Sequence, residues 1–163
     1  MTPAQLSTLK TSIAADATLN ALPNTGEGPS TITAAYNLPA ASPTFTVWRT
    51  NVSAKELGDN FVGTDLSGLS TLNHTRLQTV IMISQDGFNA SLPDRRAMLD
   101  DIFSGAGGAA TRARLLILYK RLATRAEKLY ANTSQGAGTD AAPATLTFEG
   151  QITDADVRTA RDT

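Results

Sequence analysis

The chain has 163 residues, a net charge of −1, 41% hydrophobic and 18% charged residues. That length suits one domain, spanning 1–163, able to bury roughly two thirds of its unfolded surface. The near-zero charge excludes a protein whose whole surface serves nucleic acid. With no cysteine, disulfides and thiolate metal sites are excluded as well.

The opening Met-Thr-Pro-Ala-Gln lacks the basic region and apolar block of a signal peptide, which predicts synthesis in the cytosol. Thr2, Pro3 and Gln5 have the spacing of an N-cap, a first helical residue and a capping-box partner. Leu6, Leu9 and Ile13 then mark the apolar face of a first helix, which Leu19 and Leu22 continue until Asn20 or Pro23 ends it. Residues 23–29 hold two prolines and two glycines, so they read as a loop. Pro29 opens a short helix carrying Ile32, Ala35 and Tyr36, and Pro39 and Pro43 close it.

Phe45-Thr-Val-Trp-Arg49 alternates, which allows an extended segment or a helix edge, and the favoured reading is an irregular segment that pins Trp48, the single tryptophan, to the core. Ser53-Ala-Lys-Glu56 is a second capping box, predicting a helix over 54–57 that Gly58 stops. A glycine-punctuated loop follows over 61–69. Residues 71–84 predict a helix with Leu77, Val80, Ile81 and Ser84 inward, although Val80-Ile-Met-Ile83 also fits a strand. Ser91-Leu-Pro-Asp94 starts another helix, whose apolar face is Met98, Leu99, Ile102 and Phe103.

Ser104-Gly-Ala-Gly-Gly108 is a tight turn into the stretch on which the fold is expected to centre. From about 108 to 130 the residues are good helix formers without proline. Leu115, Tyr119, Leu122, Ala126 and Leu129 fall on one stripe, and Leu116 and Ile117 flank it. Arg114, Arg121, Arg125 and Lys128 fall opposite. Residues 132–142 read as a mobile surface loop, 145–149 as a short extended segment, and Thr153-Asp-Ala-Asp156 as the cap of a last helix with Val157 and Ala160 inward. The fold class is therefore mainly α, a single-domain helical bundle around one amphipathic helix, with long loops.

Catalytic signals are sparse. His74 is the single histidine, so any triad would need it as base, and it falls on a polar helix face. Asp100 and Asp101 are neighbours that diverge by about 100° on a helix, so they make no carboxylate dyad. Gly105-Ala-Gly-Gly108 lacks the Gly-Lys-Ser/Thr of a P-loop and reads as a helix end and turn. No catalytic, cofactor-binding or metal residue is expected, and the chain does not read as an enzyme. Arg114, Arg121, Arg125 and Lys128 are the candidate contact residues. They either pair with Asp94, Asp100 or Asp101, or face DNA or an acidic partner.

Several blocks carry a resemblance: Phe45-Thr-Val-Trp-Arg-Thr50, Asp101-Ile-Phe-Ser-Gly-Ala-Gly107, Lys120-Arg-Leu-Ala-Thr-Arg-Ala-Glu-Lys-Leu129 and Pro143-Ala-Thr-Leu-Thr-Phe-Glu-Gly150. Together with both ends of the chain, they are similar to a family of small hypothetical proteins of tailed bacteriophages. The resemblance implies a phage origin and synthesis in host bacterial cytoplasm. It further suggests a virion protein, a head-to-tail connector or neck subunit forming a homo-oligomeric ring. Its partners would be a portal or tail component, with non-specific contact to packaged DNA and no membrane. The alternative is a non-structural phage factor that binds a host protein or DNA through the basic face of helix 108–130.

Overall fold

Short polar caps decide where most of the helices begin. In the computed structural model, which describes residues 1–40 and 43–162, α1 (Pro3–Ala15) starts at Thr2. The Thr2 hydroxyl accepts from the Gln5 amide, and the Gln5 side chain accepts from the Thr2 amide at 2.8 Å. Asp16 then interrupts what the sequence suggests is one helix. Its carboxylate accepts from the amides of Thr18 and Leu19, so that α2 (Ala17–Asn20) begins anew. A capping aspartate competes with the helix for backbone donors, and here it wins. After α3 (Gly28–Asn37) comes β1 (Thr46–Trp48), a short strand, so the extended alternative holds there rather than the favoured irregular segment.

The second expected capping box is present at Ser53 and Glu56, and it opens α4 (Ala54–Asp59). Residues 61–69 are not simply a loop, because α5 (Gly63–Ser67) forms within them. Asp65 supplies the reason: its buried carboxylate accepts from the Thr111 amide at 2.7 Å, a tertiary tie that local sequence does not announce. α6 (Thr71–Ile83) resolves the ambiguity at Val80 in favour of helix, with Leu77, Val80 and Ser84 buried. α7 (Pro93–Ile102) starts at Leu92 rather than Ser91, whose hydroxyl is taken by Asn89 at 2.6 Å.

The largest departure concerns residues 108–130. α8 (Ala109–Leu118) is followed by β2 (Lys120–Leu122) and then by α9 (Arg125–Leu129), so the expected continuous helix is in three pieces. β2 pairs with β1, and the Ala123 amide donates to the Phe45 carbonyl at 2.8 Å. Thr124 and Glu127 form a third capping box that starts α9. As a result Leu122, expected inside, is 51% exposed, while Leu115, Tyr119 and Ala126 are buried as expected.

β3 (Ala131–Asn132) pairs antiparallel with β4 (Thr145–Leu146), so the extended segment lies near its expected place. Between these strands the glycine-rich stretch is held in place. The Thr46 amide donates to the Gly138 carbonyl at 2.7 Å. A Cβ on Gly138 would meet the Phe45 ring, and its φ of +75° also favours glycine. Finally α10 (Asp154–Asp162) is capped reciprocally by Thr153 and Asp156. Helix accounts for 57% of the described residues and strand for 10%, so the fold is mainly α as expected.

The chain divides into two compact units. One comprises Met1–Val47 with Leu122–Thr163, and the other Trp48–Arg121. In the first, Leu9, Ile13, Ile32, Tyr36, Ile152 and Val157 pack together across α1, α3 and α10, beside a smaller cluster at Phe45, Val47 and Ala144. In the second, Leu57, Val80, Phe88, Leu99, Phe103, Leu115 and Tyr119 form the core. Trp48 borders it, half-buried, with the Arg96 guanidinium 3.8 Å from its ring centre.

Leu115→Ala should cost about 2–5 kcal/mol in urea unfolding, because it hollows the core of the second unit. Leu122→Ala should cost under about 1 kcal/mol, and equal losses would contradict the placement of Leu122. The Ser53 amide, Arg49 (2.8 Å away) and the Ser53 hydroxyl hold the Glu56 carboxyl down at about 2. A folded pKa depressed from the ordinary 4.5 means that its stabilisation is complete above about pH 4.5 and fades as pH falls toward 2. An NMR titration of Glu56 should show that low midpoint; one near 4.5 would show an open box.

Candidate functional site

Each of the four candidate cations has its own local setting. Breaking the helix at residue 119 removes the stripe that would align Arg114, Arg121, Arg125 and Lys128. Arg114 is exposed on α8, and Arg121 is half-buried within β2. Arg125 and Lys128 are brought together on α9. The stripe is thus corrected to two separate positions and one pair. The physical reason is that a 100° repeat holds only while the helix is unbroken.

Arg125 is engaged within its own unit. Its guanidinium lies 2.9 Å from the Asp16 carboxylate and 4.4 Å from the centre of the Tyr36 ring. The hydrogen bond from Arg125, followed by that of the Leu19 amide, holds the Asp16 carboxyl below its ordinary range. Pairing therefore occurs with Asp16 and not with the expected Asp94, Asp100 or Asp101. Lys128 lies 5.6 Å from the Phe45 ring centre, and its ammonium is 3.4 Å from the Pro43 carbonyl. Both cations edge a groove of about 860 Å³ between α3 and α9, whose walls include Leu38, Pro39, Ala40 and Leu129. Such a groove offers apolar contact and one loosely held ammonium to an acidic chain. Among the described residues that line it, no nucleophile stands beside a base.

Glu127 is the most demanding group nearby. It is 2% exposed, and its two carboxylate oxygens accept from the Thr124 and Gly150 amides, both at 2.9 Å. A buried carboxylate is expensive without such partners. This one is therefore structural: it starts α9 and ties the segment before α10 to it.

The remaining candidates read as expected or go unused. Gly105 has φ +83°, and Arg112 donates to the carbonyls of Phe103 and Gly105, closing the end of α7. A Cβ on Gly108 would meet the Phe103 carbonyl, so the turn is packed against itself. Asp100 and Asp101 are exposed beside this turn, and His74 is exposed on α6. Burial raises the Asp100 carboxyl, and Arg112 and Arg96 partly offset it. Among the described residues no cluster of three or more His, Cys, Asp or Glu could hold a metal. No helix among them is long and apolar enough to cross a membrane.

A feature that periodicity did not single out lies in the second unit. Leu72, Met82, Ile83, Met98, Leu116 and Ile117 are exposed on α6, α7 and α8, with Ile117 at 73%. The available signal was that Leu116 and Ile117 make α8 apolar on both flanks. Burial inside the chain accounts for only one side, where Thr111 and Leu115 sit. Against family models, curated proteins and solved structures, the chain gives no match.

Glu127→Ala should lower unfolding free energy by about 1–3 kcal/mol, since the Thr124 and Gly150 amides lose their acceptor and α9 loses its capping box. Lys128→Ala should cost under about 1 kcal/mol because the half-buried ammonium makes only long contacts, 3.4 Å to the Pro43 carbonyl and 5.6 Å to the Phe45 ring centre. Urea melts of both variants check this, and a Glu127 variant as stable as the parent contradicts a structural carboxylate.

Proposed function

We propose that this chain is a structural protein of a tailed-phage virion, a head-to-tail connector or neck subunit acting by assembly contacts rather than catalysis. The observation that carries the proposal is the set of large apolar side chains left exposed on α6, α7 and α8. Met82 and Ile83 are adjacent at the end of α6 and Leu116 and Ile117 near the end of α8. Adjacent exposed apolar side chains call for a covering partner more than scattered single ones do. The sequence blocks that resemble small tailed-phage proteins support the same reading.

On this reading the chain is made in the bacterial cytoplasm and ends in the virion. It forms a homo-oligomeric ring against a portal or tail component. The loss of the long basic stripe weighs against the host-factor alternative, which depended on one continuous cationic face. On the connector reading Arg114 on α8, and Lys128 beside the already engaged Arg125 on α9, would be the cations that touch DNA phosphates or acidic protein. Such contacts would be weak and sensitive to salt.

The test is a phage that cannot make the protein. Purified parental particles should contain it by mass spectrometry, and the deficient phage should accumulate filled heads and free tails that do not join. Normal titre and normal joining without the protein would overturn the proposal.

A further inference from the structure

The outer side of α6, α7 and α8 carries a hole, a knob and charges of both signs. The hole is a groove of about 300 Å³ between α6 and α7. Val80 and Ile102 in it are nearly fully buried, and Arg76, Thr79, Met98 and Asp101 surround them. The knob is the end of α8, where Leu116 and Ile117 are 48% and 73% exposed. Asp101 lines this groove and also the next one, between α7 and α8, to which Ala113 and Leu116 belong. Hole and knob therefore flank one ridge on one face of the unit. Arg114 lies one turn before Ile117 and is exposed, as Asp101 is.

We propose that this face pairs with the same face of a second copy about a two-fold axis. Leu116 and Ile117 of each copy seat in the other copy's α6–α7 groove, and Arg114 of each meets the other's Asp101. A two-fold interface must be complementary to itself, with every contact made twice. A face that carries an apolar projection with Arg114 beside it, and an apolar recess edged by Asp101 and Arg76, meets that requirement. Asp101, on the ridge between recess and projection, is the anion that Arg114 of the other copy reaches. A head-to-tail contact would instead need projection and recess on different faces. Among the described residues neither Arg114 nor Asp101 forms an ion pair within the chain, so both are available. The inference rests on the reading of the chain as an assembly protein and names one partner for this face; the pair closes on itself, so the ring uses a second, head-to-tail contact elsewhere on the chain.

The test is sedimentation equilibrium of the full chain from micromolar to a few hundred micromolar. The parent should form dimers. Ile117→Asp, Asp101→Arg and Arg114→Glu should each weaken dimerisation about 10-fold or more, with circular dichroism unchanged because all three side chains are exposed. Combining Asp101→Arg with Arg114→Glu restores opposite charges and should recover the parental constant to within about 3-fold. A parent that stays monomeric throughout, a dimer indifferent to Ile117→Asp, or a charge swap that fails to rescue would each overturn the pairing. A monomer found in purified particles would remove the pair and leave the connector reading standing. A dimer absent from particles would do the reverse.

Discussion

A carboxylate taken out of water must find donors, and the buried Glu127 finds them in the amides of Thr124 and Gly150. Much else in the chain is conditional on that requirement. The Thr124 amide can meet Glu127 only if Thr124 is a cap, outside the helix that follows it. The chain must then leave the helical conformation before Thr124. The freed residues 120–122 become a strand, and the backbone of β1 gains a partner. One capping box thus turns a run of helix formers into helix, strand and helix.

The parts of the fold that were legible in the sequence are those whose cause lies within a few residues. Thr2 with Gln5, Ser53 with Glu56 and Thr153 with Asp156 each announce a helix start, and all three are present. Thr124-Arg-Ala-Glu127 has the same spacing and was equally legible. It was obscured because the residues before it, from Leu115 to Ala123, continue a helical repeat without glycine or proline. Propensity is a weak prior there, and the backbone bonds of β1 outweigh it. α5 was not legible, since its anchor is a bond from Asp65 to the amide of Thr111.

The candidate site shows the same division. Arg125 and Lys128 were named correctly as neighbours, because three residues separate them on a helix that survives. Joining them to Arg114 and Arg121 required an unbroken helix. The Arg125 partner, Asp16, lies 109 residues away in sequence, beyond anything that spacing can report. Leu122 failed for the reason that the stripe failed, since both used a single helical phase from 115 to 129.

α8 then presents a consistent problem. A ten-residue helix packs Thr111 and Leu115 inward while Ala109, Ala110, Ala113, Leu116 and Ile117 face water. Burying one leucine-sized side chain is worth roughly 1.5–3 kcal/mol, a gain of which Leu116 forgoes about half and Ile117 most in the isolated chain. Apolar residues all round a helix are the pattern of a helix buried on every side. If a second copy covers the outer side, that pattern is satisfied, although half of the burial comes from outside the chain. Hydrophobic periodicity then reports the environment of the assembled protein. An amphipathic analysis of the single chain is bound to place such a helix too deep.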